Sequence, residues 1–383
     1  MSVSRAEAEI PFRRLALISN QAFSICNFRE SLIREVTSRG IQVFAFAPDF
    51  DDSTRRWVEE LGAIPVSYKL SRAGMSLLQE IGVVFDLRQK LRELQVDATF
   101  SFFIKPVLYG GIAAWMAGVP LRYSMIEGAG HLYSETAGTS LFLRLLRHLI
   151  TLGMKFSLGF SRRVFLLNQD DFKLFITRRV ARSGRALVLP GIGVDLNHFA
   201  PSPAVRSPLT FVLVARLLKE KGIYDFVSAA RLVRARNRFA RFLLVGGIDD
   251  HPGAISYAEI RQWVDEGLLQ WPGHVDDIKS WVASASVFVL PSYYREGVPR
   301  STQEAMSLGK PVITTDSVGC RETVLDGVNG FLVPVKDPER LAAAMLRFIE
   351  CPSLIETMGA ASRRIAEQRY DSSVINSKVL SAL

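Results

Sequence analysis

The stretch Pro291–Pro311, PSYYREGVPRSTQEAMSLGKP, is the part of the sequence that best indicates the fold. The apolar run Ser286–Leu290 precedes it and is typical of a buried strand. A helix is predicted to begin at Pro299 or Arg300 and to end before Gly309, and a further apolar run follows. A strand, a short loop, a helix and another strand in this order are typical of a parallel α/β sheet.

Two carboxylates, Glu296 and Glu304, flank the predicted start of this helix. In open α/β sheets ligands bind beyond the carboxyl ends of the strands, and anions bind at helix N-termini. Acids beside a site that attracts anions favour a ligand with both hydroxyl and phosphate groups, such as a sugar nucleotide. The simpler alternatives are a surface loop acid for Glu296 and helix capping for Glu304, since Ser301–Glu304 fits a capping box.

The composition is that of a folded protein of two ordinary domains. The chain has 383 residues, of which 48% are hydrophobic and 22% are charged. Its three cysteines are widely spaced and its five histidines are scattered, so we expect neither a disulfide framework nor a zinc site. The N-terminal residues include acids and lack an apolar core, so no signal peptide is expected.

Strands alternate with helices along the chain, which predicts parallel sheets covered on both faces. The alternation begins with a strand at Arg14–Ser19 and restarts with a strand at Thr210–Ala215, after the proline-rich segment Ala200–Pro208. Such a segment is typical of an interdomain linker. We therefore predict two Rossmann-like α/β domains, residues 1–200 and 201–383, that face a central cleft. The last helix is a candidate to pack back on the first domain.

The helix predicted over Leu141–Phe160 is amphipathic and basic. Its polar residues form one narrow stripe at helical spacing: Arg144, Arg147, His148, Thr151 and Lys155. Cations interrupt the helix too often for a membrane span, but they suit a membrane interface in which Arg144, Arg147 and Lys155 face lipid phosphates. The alternative is a mostly buried domain helix with one solvated face.

Three groups of residues in the second half could together hold a sugar nucleotide. Arg216 follows a strand and Lys221 precedes a helix, and two such cations can bind a diphosphate. Gly246 follows the next strand and permits close backbone approach, and a base could lie against the loop at His274 and Val275. The third group is the stretch quoted first. A solvated basic turn and a surface histidine are the simpler interpretations of the first two groups.

In combination, these groups resemble the retaining GT-B glycosyltransferases of carbohydrate-active family 4. The resemblance rests on ARLLKEKG, GHVDDIKSWVASASVFVLPS and REGVPRSTQEAMSLGKPVI, preceded by PGIGVDLNHF, and covers roughly Pro190–Val333. In the first half, SNQAFSICNFRESLIREVTSRGIQVFAFAP resembles bacterial members that build surface polysaccharides and lipid-linked glycans.

The resemblance implies a role for each candidate. Arg216 and Lys221 would neutralise the leaving diphosphate, Glu296 would contact the transferred sugar, and Glu304 would accept hydrogen bonds from the ribose. The backbone that follows Glu296 would lie near the sugar and phosphates: Gly297, Val298, Pro299 and Arg300. Front-face attack would need no protein nucleophile. A glycosidase-like nucleophile at Glu296 would need a second carboxylate about 5 Å away.

On the acceptor side, the resemblance implies a polar residue after a strand of the first domain. The predicted strand Leu121–Ile126 leads to Glu127 and His131, and either is a candidate contact to the acceptor. His131 is also a candidate catalytic residue. Asn27, in the predicted loop after the first strand, is a candidate for facing the donor phosphates.

The expected function is transfer of a hexose or N-acetylhexosamine from a nucleotide sugar to a polyprenyl-diphosphate-linked saccharide. The resemblance implies UDP as the carrier, a place in surface polysaccharide, O-antigen, lipopolysaccharide or glycan synthesis, and a peripheral location on the cytoplasmic membrane face. No cofactor is expected. Asp49 and Asp51 mimic the Asp-x-Asp metal motif of the other major glycosyltransferase fold. We interpret both as loop acids and expect a metal-independent reaction.

Two other functions remain open. A sugar-nucleotide epimerase of the same architecture would act on the donor without an acceptor. A nucleic-acid-binding protein is suggested by the basic first half, where residues 1–200 hold 25 Lys and Arg against 18 Asp and Glu. No basic stripe interleaved with aromatic residues supports the second alternative.

Overall fold

The structure is a computed structural model that describes residues 10–70, 77–130, 141–249 and 251–383. Its strands are β1 (Arg14–Ile18), β2 (Gln42–Ala47), β3 (Ala63–Ser67), β4 (Ala98–Phe102), β5 (Leu121–Ile126), β6 (Arg163–Leu166), β7 (Ala186–Val188), β8 (Thr210–Val214), β9 (Arg241–Val245), β10 (Val287–Leu290), β11 (Val312–Thr315) and β12 (Gly330–Val333). Its α-helices are α1 (Ala22–Ser38), α2 (Asp52–Glu60), α3 (Leu77–Glu93), α4 (Ile104–Ala117), α5 (Leu141–Gly159), α6 (Gln169–Thr177), α7 (Ile223–Arg236), α8 (Tyr257–Asp265), α9 (Ile278–Ala283), α10 (Arg300–Ser307), α11 (Pro338–Glu350), α12 (Ser353–Arg369) and α13 (Ser372–Leu380).

The chain forms two compact units. The first contains the described residues up to Leu189 together with Ser373–Leu383, and the second contains those of Pro190–Ser372. The chain thus passes from one unit to the other after Leu189, whereas the proline-rich segment Ala200–Pro208 lies inside the second unit. Most of α13 belongs to the first unit, where Asn376 Nδ2 donates to Ser31 Oγ at 3.1 Å.

The first unit is built on a seven-stranded parallel sheet in the order β3-β2-β1-β4-β5-β6-β7. All five residues of β4 are buried, as expected for a strand that helices cover on both faces. Its core joins Ile18 of β1 and Phe46 of β2 to Leu87 of α3 and Ala113 of α4. At the end of the chain, the Tyr123 hydroxyl of β5 donates to the backbone carbonyl of Leu383.

The second unit has a five-stranded parallel sheet in the order β12-β11-β10-β8-β9. Aromatic side chains fill much of its core: the rings of Phe211 and Phe242 stack at 5.5 Å, and Phe226 of α7 packs edge-on against Phe242. Because the strands are parallel, the loops after β8, β9, β10 and β11 all emerge at one edge of the sheet. These loops carry the candidate residues of the second half.

Helix α5 exposes apolar side chains as well as its basic stripe. Arg144, His148 and Lys155 are exposed, and Met154 and Ser157 are buried. Four large apolar side chains on the same helix are each 49–57% exposed: Leu145, Leu149, Leu152 and Phe156. The alternative of a mostly buried helix is therefore wrong. Within the described ranges, no helix has both the length and the hydropathy to span a bilayer.

Candidate active site

Two glycines allow the loops at the carboxyl edge of the second sheet to touch. Gly222 has φ 75°, and a Cβ atom there would lie 2.0 Å from the carbonyl oxygen of Pro291. Gly319 has φ 79°, and its Cβ would lie 2.4 Å from the carbonyl oxygen of Gly297. Only glycine combines this backbone conformation with such close approach. The loops after β8, β10 and β11 are therefore packed directly on one another.

Hydrogen bonds join the turn after β8 to the loop after β10. The backbone carbonyl of Glu220 accepts from the amides of Tyr293 and Tyr294 at 2.9 and 3.0 Å. Ser292 Oγ also donates toward this carbonyl at 3.2 Å. The turn that carries Lys221 and the loop that carries Glu296 are thus held together as one piece.

Lys221 and Glu296 form an ion pair although they are far apart in the sequence. Their side chains are 13% and 11% exposed, and Ser292 Oγ lies 3.1 Å from the Glu296 Oε1 that contacts the lysine. The ammonium also lies 5.2 Å from the ring centre of Tyr294. The structure thus brings together the predicted diphosphate cation and the predicted sugar carboxylate. Sequence reasoning missed Ser292, whose signal was a hydroxyl directly after the strand-ending Pro291.

Glu304 is paired with Arg300 and does not cap its helix. Helix α10 begins at Arg300, and Pro299 precedes it without a side-chain cap. The guanidinium Nε donates to Glu304 Oε1 at 2.8 Å, and the two side chains are 17% and 11% exposed. The capping-box interpretation of Ser301–Glu304 is therefore wrong. Both acids of the stretch are largely buried, and each contacts a cation.

The remaining donor-side candidates lie at the same edge. Arg216 is half-exposed, and its Nη1 is 3.2 Å from Asp249 Oδ2. A Cβ atom at Gly246, where φ is 155°, would lie 2.0 Å from the carbonyl oxygen of Ala215. The Gly246 amide donates to the Gly273 carbonyl at 3.0 Å, so the end of β9 lies against the loop that carries Gly273. In that loop His274 is exposed, while Val275 is half-buried.

The first unit corrects one expectation. Asn27 does not lie in a loop: it is in α1, where its Nδ2 donates to the Phe23 carbonyl at 3.0 Å. The helix already begins at Ala22, whose amide donates to Asp49 Oδ1 at 2.7 Å, so that Asp49 caps it. A role of Asn27 toward the donor phosphates stays a prediction.

Glu127 forms a closed ion pair with Arg29. Their side chains are 6% and 5% exposed, and the guanidinium lies 4.0 Å from the ring centre of Phe102. The following loop is fixed by the Ala129 amide, which donates to Asp171 Oδ2 at 3.2 Å. An acceptor contact by Glu127 stays a prediction, and His131 lies outside the described residues.

The two acids of the Asp-x-Asp sequence both cap helices. Asp49 caps α1, and Asp51 caps α2 by accepting from the Thr54 amide at 2.8 Å. Hydrogen bonds from Thr54 and Ser53 lower the pKa of Asp51 to about 2. Each carboxylate therefore has a structural role at the start of a helix.

Cys320 lies beneath the candidate site but is unsuited to nucleophilic chemistry. Burial, with a smaller contribution from the Glu296 charge, raises its pKa to about 11. A thiol with this pKa stays protonated near neutral pH, and the thiolate is the reactive form.

Two concavities lie away from the acids of the candidate site. One, of about 580 Å³, is at the opposite edge of the second sheet and includes Arg206, Arg234, Arg238 and Arg241 in its lining. The other, of about 460 Å³, runs along α5, where the basic stripe is joined by Arg178 from the end of α6. Sequence reasoning missed Arg178 because it follows a different helix.

Known proteins resemble this chain in sequence and in fold. Residues 208–351 match the model of the family described as Glycosyl transferases group 1. The chain is 26% identical, over 381 residues, to the N,N'-diacetylbacillosaminyl-diphospho-undecaprenol alpha-1,3-N-acetylgalactosaminyltransferase of Campylobacter jejuni, which covers 96% of this chain and 97% of the relative. It is 25% identical to the UDP-Gal:alpha-D-GlcNAc-diphosphoundecaprenol alpha-1,3-galactosyltransferase of Escherichia coli over 71% of each chain.

Among solved structures, Anabaena HepE in complex with UDP superposes with a TM-score of 0.75. The sequences are 21% identical, and the match covers 97% of this chain and 100% of that one. This similarity, with two all-parallel sheets, confirms the predicted GT-B fold.

Proposed function

Because the chain is a glycosyltransferase with a glycosyl transferases group 1 domain at residues 208–351, we propose that it uses a UDP-sugar and a polyprenyl-diphosphate-linked acceptor. The donated group is a hexose or N-acetylhexosamine, transferred with retention in surface polysaccharide or glycan synthesis. The acceptor class is supported by the two relatives, whose names state undecaprenyl-diphosphate acceptors and alpha linkages.

The observation that carries the donor site is the buried contact of Lys221 with Glu296. When donor binds, the diphosphate replaces Glu296 as the partner of Lys221, and sugar hydroxyls donate to the released carboxylate. Arg216 adds a second cation from the same turn, and the N-terminus of α10 adds partial positive charge. Glu304 accepts from the ribose hydroxyls.

Catalysis then follows from the charge that develops on the leaving diphosphate. The bond between the anomeric carbon and the phosphate oxygen breaks while the acceptor oxygen bonds to the same face. The departing phosphate oxygen takes the acceptor proton, so no protein nucleophile is required. Arg216 and Lys221 stabilise the leaving group. Since two fixed cations supply this charge, we propose a reaction that needs no metal ion.

The experiment measures UDP release by the full chain with a panel of UDP-sugars and a polyprenyl-diphosphate-linked saccharide. We expect one donor to turn over, an alpha linkage in the product, and undiminished activity in EDTA. Exposed Lys219 occupies the same turn as Lys221, so Lys219→Ala is the matched control for Lys221→Ala. Conversion of the donor without an acceptor would instead indicate an epimerase, and turnover of no donor would contradict the proposal.

We also propose that α5 holds the protein at the cytoplasmic membrane face. Its half-exposed apolar residues and its basic stripe suit the interface between acyl chains and anionic headgroups. Replacement of Arg144, Arg147 and Lys155 by Glu should release the protein from anionic vesicles, because each basic residue near such a surface contributes about 1 kcal/mol. Unchanged sedimentation with the vesicles would contradict this location.

A further inference from the structure

The segment by which the chain enters the second unit lies directly on α10. The Gly193 amide donates to Gln303 Oε1 at 3.2 Å, and the Gly193 carbonyl accepts from Arg300 Nη1 at 3.2 Å. A Cβ atom at Gly191, where φ is 154°, would lie 2.9 Å from Gln303 Oε1. Two side chains of one helix thus hold both polar backbone groups of Gly193.

Each of the two side chains also contacts a residue of the proposed donor site. Arg300 uses its Nε for Glu304 and its Nη1 for Gly193, so one planar guanidinium bridges the ribose carboxylate and the entering segment. Gln303 is fully buried, and its Nε2 donates to the Val298 carbonyl at 3.1 Å. Gln303 therefore fixes the entering segment to the loop that follows Glu296.

The segment by which the chain leaves the second unit is attached to the entering one. The Val194 amide donates to the Tyr370 carbonyl at 2.8 Å, and the Ser372 amide donates to the Val194 carbonyl at 3.0 Å. Because Val194 is next to Gly193 in the chain, a displacement of the Gly193 backbone also changes the hydrogen bonds of Val194 to Tyr370 and Ser372. Both passages of the chain between the units are thus linked, through Arg300 and Gln303, to the helix that carries Glu304.

We infer that Arg300 and Gln303 are positioning residues that couple the binding of a nucleoside diphosphate donor at Glu304 to the backbone of Pro190–Val194. The inference rests on the proposed function, in which ribose hydroxyls donate to Glu304. That carboxylate is only 11% exposed, so the hydroxyls must share it with Arg300 Nε. Because a guanidinium is rigid and planar, a shift of Nε also moves Nη1 away from Gly193. Gln303 keeps its bond to the Gly193 amide.

The first test is hydrogen exchange of the 190–194 backbone, measured on the full chain with and without UDP. In the wild type we expect saturating UDP to speed exchange of the Gly193 and Val194 amides about threefold to tenfold. Loss of the Arg300 bond to the Gly193 carbonyl makes local opening of this backbone easier, and with it opening of the amide bonds to Gln303 and Tyr370, by about the free energy of one hydrogen bond. In Arg300→Met, exchange should already be fast without UDP and should not respond to it. Arg300→Lys should be intermediate, since one nitrogen cannot replace the fork.

Arg363 supplies the matched control. It also pairs with an acid four residues on, Glu367, and it donates to the backbone carbonyls of Leu196, Phe199 and Ser307, but it lies on α12. Arg363→Gln should therefore keep the response of the 190–194 segment to UDP. Loss of that response in Arg363→Gln would show that general loosening, not Arg300, is responsible.

Kinetics separate positioning from binding. In Arg300→Met we expect the dissociation constant of UDP to stay within about threefold and kcat to fall about tenfold, because ground-state contacts remain while alignment is lost. The conservative Arg300→Lys should recover part of kcat.

Calorimetry with UDP distinguishes the two possible failures. If UDP binds the wild type but exchange at 190–194 does not change, the coupling is wrong and the proposed donor stands. If UDP does not bind, the proposed donor is wrong. In that case, equal exchange in wild type and Arg300→Met without ligand would also overturn the positioning role.

Discussion

Two ion pairs of this molecule differ in how far they are buried and in how easily a ligand could replace one partner. They are Lys221–Glu296 in the second unit and Arg29–Glu127 in the first. The first joins a compact ammonium on a flexible stem to a carboxylate that also contacts Ser292. The second joins a planar guanidinium, which lies over the Phe102 ring, to a carboxylate that is 6% exposed. A ligand can replace a partner more easily in the first pair, because its groups are less buried and its cation is a single ammonium on a flexible stem.

The comparison teaches that a buried carboxylate alone does not identify a substrate contact. Glu296 and Glu127 both follow strands in loops at a carboxyl edge, and both contact a cation. What distinguishes Glu296 is its surroundings, where glycines bring three loops together and a second cation, Arg216, lies in the same turn. We therefore expect loss of the first pair to reduce mainly activity, and loss of the second to reduce mainly stability.

Breaking the closed pair should have the largest effect on folding. Arg29→Met leaves the Glu127 carboxylate without this cation in a nearly inaccessible position, and we expect the free energy of unfolding to fall by about 3–5 kcal/mol. Urea denaturation followed by circular dichroism measures the loss. The double variant Arg29→Met, Glu127→Gln should recover part of it. A loss no larger than that of Lys221→Ala would remove the contrast between the two pairs.

Breaking the Lys221–Glu296 pair should leave the fold intact but greatly reduce activity. Lys221→Ala and Glu296→Gln should each lower kcat/KM about 10²–10³-fold, the size seen when one group that stabilises a developing charge is removed. Steady-state release of UDP gives the rates, and melting curves check the fold. Near-normal rates in either variant would contradict the assignment of this edge as the donor site.

Removing the Ser292 hydroxyl, which lies beside the Lys221–Glu296 pair, should reduce activity less. In Ser292→Ala, Glu296 keeps Lys221 but loses one hydrogen bond, so we expect kcat/KM to fall about threefold to tenfold. Ser317→Ala is the control, because Ser317 Oγ donates to the Ser292 carbonyl at 2.9 Å without contacting Glu296. Equal losses in both variants would mean that Ser292 acts only through the packing of its loop.

Strands and contiguous motifs could be predicted from the sequence, but contacts between residues distant in the chain could not. Strand β5 has the predicted bounds, Leu121–Ile126, and its last four residues are buried, as a strand between helices requires. The candidate acids of the second half were found because their motifs are contiguous in the chain. The ion-pair partner of Glu127 could not be found in this way, because Arg29 lies far from it in the sequence and no local pattern pairs the two.

Errors in the predicted elements also have long-range causes. Asn27 was placed in a loop although it lies in α1, because the cap of that helix, Asp49, lies 27 residues beyond the Ala22 amide that it accepts from. The capping box at Ser301 was a valid local pattern, but α10 begins at Arg300, and the carboxylate of Glu304 pairs with that arginine. The passage between the units was placed too late because the proline-rich segment is more conspicuous than Leu189–Pro190.

The membership of Ser373–Leu383 in the first unit has a consequence for synthesis on the ribosome. Every residue of Pro190–Ser372 is translated before the segment that supplies α13 and the Leu383 carbonyl bonded to Tyr123. At 5–20 residues per second, this delay is about 10–40 s. During this delay the nascent first unit lacks α13. The second unit, whose residues have all been made by then, can fold before the first is complete.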